Sequence, residues 1–224
     1  LQRAVALEEL TVGGARIAAS YPMMPMVAPM VAQTVRQEDL GDLKLYRVPE
    51  RTTVAARQSK QVRLLDRASI PIRTLYVADL EGLGGETHLP ALKVLRVRND
   101  AAHHLGLPLP AGRVQVFALR RGERLLEHQS NLRDLAVDEE LEMSMGWSPD
   151  VHVAATQSGD WHRVDISNAR SAAIQFELRL HLPDGARITE SDRKLESMNG
   201  RPLFRLPVPP GATAAVRYRS KAAK

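Results

Sequence analysis

The chain of 224 residues contains no cysteine. That excludes a disulfide framework, thiol catalysis, thiolate metal sites and iron–sulfur ligation, and it is compatible with a reducing or an oxidising compartment. Aromatic residues make up only 4%, so a core must rest on Leu, Val, Ile and Ala. No apolar run approaches the length a helix needs to span a bilayer. Neither sign of charge dominates: 31 Lys and Arg stand against 26 Asp and Glu, a formal net charge of +5. So mild an excess permits a nucleic-acid or anionic-surface partner without arguing for one. No heptad, solenoid or propeller period recurs.

What is present is a pattern of short alternating runs. The clearest is Ala173 to Leu182, AIQFELRLHL, with Ile174, Phe176, Leu178, Leu180 and Leu182 on one parity and Gln175, Glu177, Arg179 and His181 on the other. A period of two predicts a strand with one dry and one wet face, as in antiparallel sheets. Burying five such side chains contributes ~10 kcal/mol before ordering entropy is subtracted.

Residues 1–41 differ in texture. LQRAVALEEL suits one or two helical turns broken by Gly13-Gly14, and Tyr21 to Met30 holds Met23, Met24, Met26 and Met30 among three prolines. Proline removes donors and pushes the preceding residue to extended conformations, so this stretch reads as a linker or surface-draped arm. Its thioethers suit either contact with a partner or, as soft ligands, Cu(I). The tether reading is preferred because no His lies beside them.

From Asp42 onward, runs such as IRTLYVADL, ALKVLRVRN and RVQVFAL alternate with turn residues. In ALKVLRVRN, Leu95 and Val97 oppose Arg96 and Arg98. Arg120-Arg121-Gly122-Glu123 and Ser158-Gly159-Asp160 are hairpin tips, and Pro209-Pro210-Gly211 is a turn. ARITESDRKLES fits either a strand with a loop or a short helix. Turn signals every eight to twelve residues argue for an all-β sandwich or barrel, and an antiparallel β-sandwich is the expected form. The expected organisation is an irregular arm over 1–41, a first sandwich over 42–145 and a second, immunoglobulin-like subdomain over 146–224. The seam is expected near Met145 to Asp150.

Several segments carry a resemblance: EDLGDLKLYRVPE (Glu38 to Glu50) followed by SKQVRLLD, LGLPLPAGRVQVF (Leu105 to Phe117) and GWSPDVHV (Gly146 to Val153). Together they resemble the C-terminal domain of bacterial mucoidy-inhibitor-A-like proteins, over roughly residues 38–220. The resemblance implies an all-β domain of exported proteins and supplies no catalytic residues. It also implies a periplasmic or exported location with a signal peptide upstream. The chain opens on Leu1 rather than Met and is read as a mature product or the C-terminal part of something longer.

Candidate chemistry is sparse. Gly146-Trp147-Ser148-Pro149-Asp150 starts like a nucleophile elbow but has Asp150 where the second glycine is required. His103-His104, His152 and His162 are the candidates for a zinc site, but the hairpin register turns His152 away from His162, so surface or turn positions are expected. Gly82 to Glu86 lacks the Gly-Lys-Ser/Thr ending of a phosphate loop. Asp138-Glu139-Glu140 is a solvated acidic turn. Arg96, Arg98, Arg113, Arg217 and Arg219 suit solvated strand positions or a cationic patch. Nucleic-acid binding is disfavoured, because Trp147, Trp161, Phe117, Phe176 and Phe204 read as core or turn fillers rather than stacking platforms.

The composite expectation is a structural or interaction module without catalytic residues, metal or cofactor. Protein partners or self-association are expected, and anionic glycan or lipid surfaces remain open. The interaction candidates are the four arm methionines, Trp147, Trp161, Arg96 and Arg98. Rival readings are a glycan- or small-ligand-binding sandwich with an exposed indole platform, and a hydrolase or metal-dependent activity completed upstream.

Overall fold

A computed structural model describes residues 36–40, 43–47, 53, 57, 65–81 and 87–221. The arm methionines and the glycine-rich loop at 82–86 lie outside the described residues. The described chain is all-β, with one 3-10 turn at Ala101–His103. Its strands are β1 (Arg36–Leu40), β2 (Leu43–Arg47), β3 (Arg73–Glu81), β4 (Thr87–Arg98), β5 (Gly112–Arg120), β6 (Glu123–Leu132) and β7 (Glu140–Ser158). They continue with β8 (Trp161–Asn168), β9 (Ile174–His181), β10 (Arg187–Ser191), β11 (Leu195–Met198), β12 (Arg201–Val208) and β13 (Thr213–Lys221). The ambiguous ARITESDRKLES stretch is therefore extended. Its partner turn is Asn199-Gly200, both at positive φ, the geometry an Asn-Gly hairpin requires.

Two compact units result. One combines Ile72–Val97 with Glu142–Lys224, and the other contains Arg98–Leu141 and the described residues up to Pro71. Each draws on separated stretches of chain. The expected seam near Met145 to Asp150 falls inside the continuous strand β7, where Gly146 takes a φ of 87°. Glycine adopts that conformation without a Cβ penalty, so the strand carries on through it.

In the first of these units nine strands form one sheet, in the order β10-β13-β8-β7-β4-β3-β9-β12-β11, curled nearly into a barrel. The sheet is mixed rather than wholly antiparallel, because β3 and β9 run parallel, with Tyr76 beside Phe176 and Leu80 beside Leu180. Alternation within a strand marks its two faces but carries no information about a neighbour's direction. Parallel neighbours need a long crossover, and here the excursion through β4 to β8 supplies it.

The dry parity of β9 is as expected. Ile174, Phe176, Leu178 and Leu180 join Tyr76, Ala78, Val151, Val153, Val164, Ile166, Phe204, Leu206 and Val216 in the central core, and Leu182 packs against it. Phe204 on β12 meets Tyr218 on β13 with ring centroids 5.8 Å apart, which brings the two limbs of the curled sheet together. On the opposite face Leu75, Val77 and Val94 form a second buried cluster. β3 is thus apolar on both sides, as a central strand should be.

Turns are held by buried polar side chains. Asn168 is 1% exposed. Its Nδ2 donates to the carbonyls of Ala172, Val208 and Pro209 at 3.0–3.1 Å, and its Oδ1 accepts from Arg170 N at 3.1 Å. It clamps the β8–β9 and β12–β13 connections to each other. Asn99 does the same in the other unit, donating to the carbonyls of Leu107 and Ala136 and accepting from Gly106 N. There β5 and β6 pair as a separate two-stranded ribbon whose turn, Arg121-Gly122, has both residues at positive φ.

Replacing Asn168 with Ala removes a buried donor from the Val208 carbonyl and partly buried ones from the carbonyls of Ala172 and Pro209. Urea unfolding of Asn168→Ala is expected to show a loss of ~2 kcal/mol. The exposed control Lys194→Ala should stay within about 0.5 kcal/mol of the parent. Equal midpoints for the two variants would contradict the clamp.

Candidate functional site

Of the side chains expected to be wet on β9, Gln175 is exposed and Arg179 and His181 are half-buried, but Glu177 is not wet at all. Glu177 is 2% exposed and Arg96 is 3% exposed. The period of two puts Glu177 on the face of Val77, its parallel neighbour, and Arg96 on the face of Val94 and Leu92. Both charges therefore sit beside apolar ground, where an unpaired ion is very costly. The pair is a bidentate fork, with Arg96 Nη1 and Nη2 each 2.6 Å from a Glu177 oxygen. Arg96 also donates to Glu142 on β7, from Nε at 2.7 Å and from Nη2.

The network extends outward along the same sheet. Arg179 Nη2 donates to Glu142 at 2.7 and 3.0 Å and to Glu177 at 3.2 Å. Arg205 on β12 donates from Nε to Glu177 at 2.8 Å and from Nη1 to Glu196 on β11 at 2.5 Å. Among the described residues three arginines thus meet three glutamates, which balances their charges. Burial works to raise the Glu177 pKa, but the hydrogen bonds from Arg96 and Arg205 and the charge of Arg96 outweigh it and hold it near about 2. Burial disfavours the Arg96 cation too, yet Glu177 and Glu142 keep it firmly protonated.

This corrects the expectation of a solvated or cationic Arg96. Its charge is spent internally and offers nothing to an anionic partner. Arg98 differs: it is 54% exposed and lies 3.5 Å from Asp100. Arg219 pairs with Glu190 at 3.2 Å and Asp160 at 3.5 Å. Opposite charges recurring on the outer parity of β4, β9 and β12 were the sequence signal for this network, legible only once the strand order was known.

A cleft of about 260 Å³ opens among Asp79, Glu81, Thr87, Thr156, His162 and Tyr218. His162 is the correction among the histidines, because it is 7% exposed rather than on the surface. It points inward beside Val164, stacks on Tyr218 at 4.7 Å and shares a 2.7 Å hydrogen bond between Nε2 and Ser220 Oγ. Burial lowers its pKa against the opposing pull of Asp160, and burial pushes the Tyr218 hydroxyl up to about 12. A Ser–His contact resembles half of a nucleophilic pair. However, Ser220 is 5% exposed, and its neighbour's ring is pinned flat against a tyrosine.

The other candidates are dispersed. His152 stacks on His88 and lies opposite Ser167, while His162 lies opposite Gln157, so the hairpin does separate the two. His103 Nδ1 bonds Asp100 at 2.6 Å, whereas His104, at positive φ, turns towards the Ala68 carbonyl. Among the described residues no group of three or more His, Asp or Glu is placed to hold a metal ion. Ser148 is buried in a continuing strand and accepts from Asp150 N at 3.3 Å, so no nucleophile elbow forms. Glu139 is a capping group more than a free acid, accepting from Ala136 N and Arg133. Phe176 and Phe204 are core, but Trp147 is 66% exposed and Trp161 45%, so neither indole is a core filler. Among the described residues no helix is long and apolar enough to cross a membrane.

The depressed Glu177 carboxyl contributes stability that is complete above the ordinary carboxylate range, near pH 4.5, and lost as pH falls towards about 2. Acid titration of the parent should lose ~3 kcal/mol over that window from this group. Glu177→Gln should flatten the loss while lowering stability at neutral pH by ~3 kcal/mol, since it strands Arg96. An unchanged acid profile in Glu177→Gln would contradict the assignment.

No family model and no curated protein matches the chain. Among solved structures it is similar to the folded domain of LppM from Mycobacterium tuberculosis, at 7% identity, covering 74% of this chain and 97% of that one, with a TM-score of 0.28. So weak a likeness carries no argument about fold or function.

Proposed function

We propose that the chain is a structural or protein-interaction β-domain of the bacterial cell envelope, without catalytic residues of its own, as the mucoidy-inhibitor-A-like resemblance implies. The carrying observation is where the expensive groups go. The most deeply buried ionic groups are consumed in a neutral internal ladder, while large apolar groups such as Trp147 and Trp161 are displayed. Exposed indoles with a polar edge are favoured contact residues in interfaces. The edge strands β10 and β11 offer further backbone for strand addition. An immunoglobulin-like sandwich is the finer form of this reading, supported by the meeting of Phe204 and Tyr218 across the curled sheet.

A second reading has one observation in its favour. Both indoles are exposed, as a stacking platform for a glycan ring requires.

In-cell photo-crosslinking separates the two. A photoreactive amino acid at Trp147 or Trp161, in the natural full-length product, is expected to yield discrete protein adducts in the envelope fraction, and the same probe at Lys194 none. Absence of adducts together with retention on purified peptidoglycan that Trp147→Ala abolishes would move the assignment to glycan binding. Recovery of the product in the cytoplasm would overturn the envelope part.

A further inference from the structure

The β5–β6 ribbon changes character along its length. At its base Val114 and Val116 are 1% and 0% exposed. A register shift follows between Val116 and Phe117, with Glu127 as the extra residue opposite. Beyond it Leu119 is 69% exposed, Leu125 51% and Leu126 52%. These leucines share the tip with Arg120, Arg121 and Arg124, against Glu123 and, at the register shift, Glu127.

The cross-strand pairs decide which faces are apolar. Phe117 lies opposite Leu126 and Leu119 opposite Arg124, so these four share one face, where the Arg124 guanidinium covers the Phe117 ring at 4.8 Å. Ala118 and Leu125 lie on the other face. A rigid protein partner meets one face of a two-stranded ribbon, and it leaves the opposite leucine in water. A fluid bilayer surrounds both. The four residue pairs beyond the register shift are separated by three rises of about 3.3 Å, so the tip spans about 10 Å, the upper end of the roughly 5–10 Å to which amphipathic elements enter the interface. Arginines beside such a wedge meet lipid phosphates, and their positive excess favours anionic headgroups.

We infer that the β5–β6 tip is a membrane-surface anchor: Leu119, Leu125 and Leu126 enter the interfacial zone of an anionic bilayer, and Arg120 and Arg121 bind its phosphates. This rests on the envelope reading only for where such a bilayer would be met. The element is distinct from Trp147 and Trp161, so either assignment can fail alone.

Vesicle flotation of the full chain tests it, using phosphatidylcholine with and without phosphatidylglycerol. The parent is expected to float with the phosphatidylglycerol vesicles and to remain behind with pure phosphatidylcholine. Leu119→Asp combined with Leu125→Asp should lower the partition coefficient at least about tenfold, with far-UV circular dichroism unchanged because both side chains are exposed. Arg120→Gln combined with Arg121→Gln, which leaves the leucines intact, should remove the preference for phosphatidylglycerol. Flotation that ignores lipid charge, or that survives both double variants, overturns the inference. So does a parent that stays unbound but sediments as a dimer that the leucine variant dissolves, because the tip then serves a second copy of the chain.

Discussion

A carboxylate held away from water constrains this fold more than any single apolar contact. Glu177 sits against Val77 on the outer parity of β9, and it is tolerable there only because Arg96, Arg179 and Arg205 reach it from β4, β9 itself and β12. Burying an ion pair gains little stability over a well-packed apolar substitute, whereas removing one partner is severe. What the arrangement supplies is specification: a slip of one residue in β4 or β12 would carry Arg96 or Arg205 to the opposite face and leave Glu177 uncompensated. The apolar core on the other face favours the correct parity in each strand. The ion network then selects which strands belong beside which, a choice that greasy surfaces make poorly.

That division explains which features were legible in the sequence. Alternation located most strands, and the dry parity of β9, with Phe176, Leu178 and Leu180, is the core as read. Turn chemistry located the tips at Arg121-Gly122 and Gly159-Asp160. The failures have one cause. A period of two says that Glu177 and Leu178 face opposite ways, and it is silent on what lies over either face. Arg96 and Arg98 are equivalent by pattern, yet one is buried in a fork and the other pairs with Asp100 in the open. His162 was misplaced for the same reason, since its cover is Tyr218, which lies 56 positions later in the chain (218 − 162). Strand direction was equally hidden, so the parallel pairing of β3 with β9 came only with the structure.

The polar interior and the decorated exterior serve different ends. Asn99 and Asn168 saturate turn carbonyls that no strand can reach, fixing where the connections cross. The indoles of β7 and β8 and the leucines of the β5–β6 tip, by contrast, are exposed. Such residues can change without disturbing the core, which leaves the surface open to adaptation while the scaffold stays fixed.

The side-by-side run of β3 and β9 has a kinetic corollary. Tyr76 and Phe176 are roughly 100 positions apart, so their pairing must close a long loop before any contact rewards it. In a chain emerging N-terminus first, β3 therefore waits with one margin bare until β9 arrives, and β9 in turn waits for β12. The middle of the sheet is sealed late, and an unfinished or arrested chain exposes a strand that contributes apolar side chains to both faces.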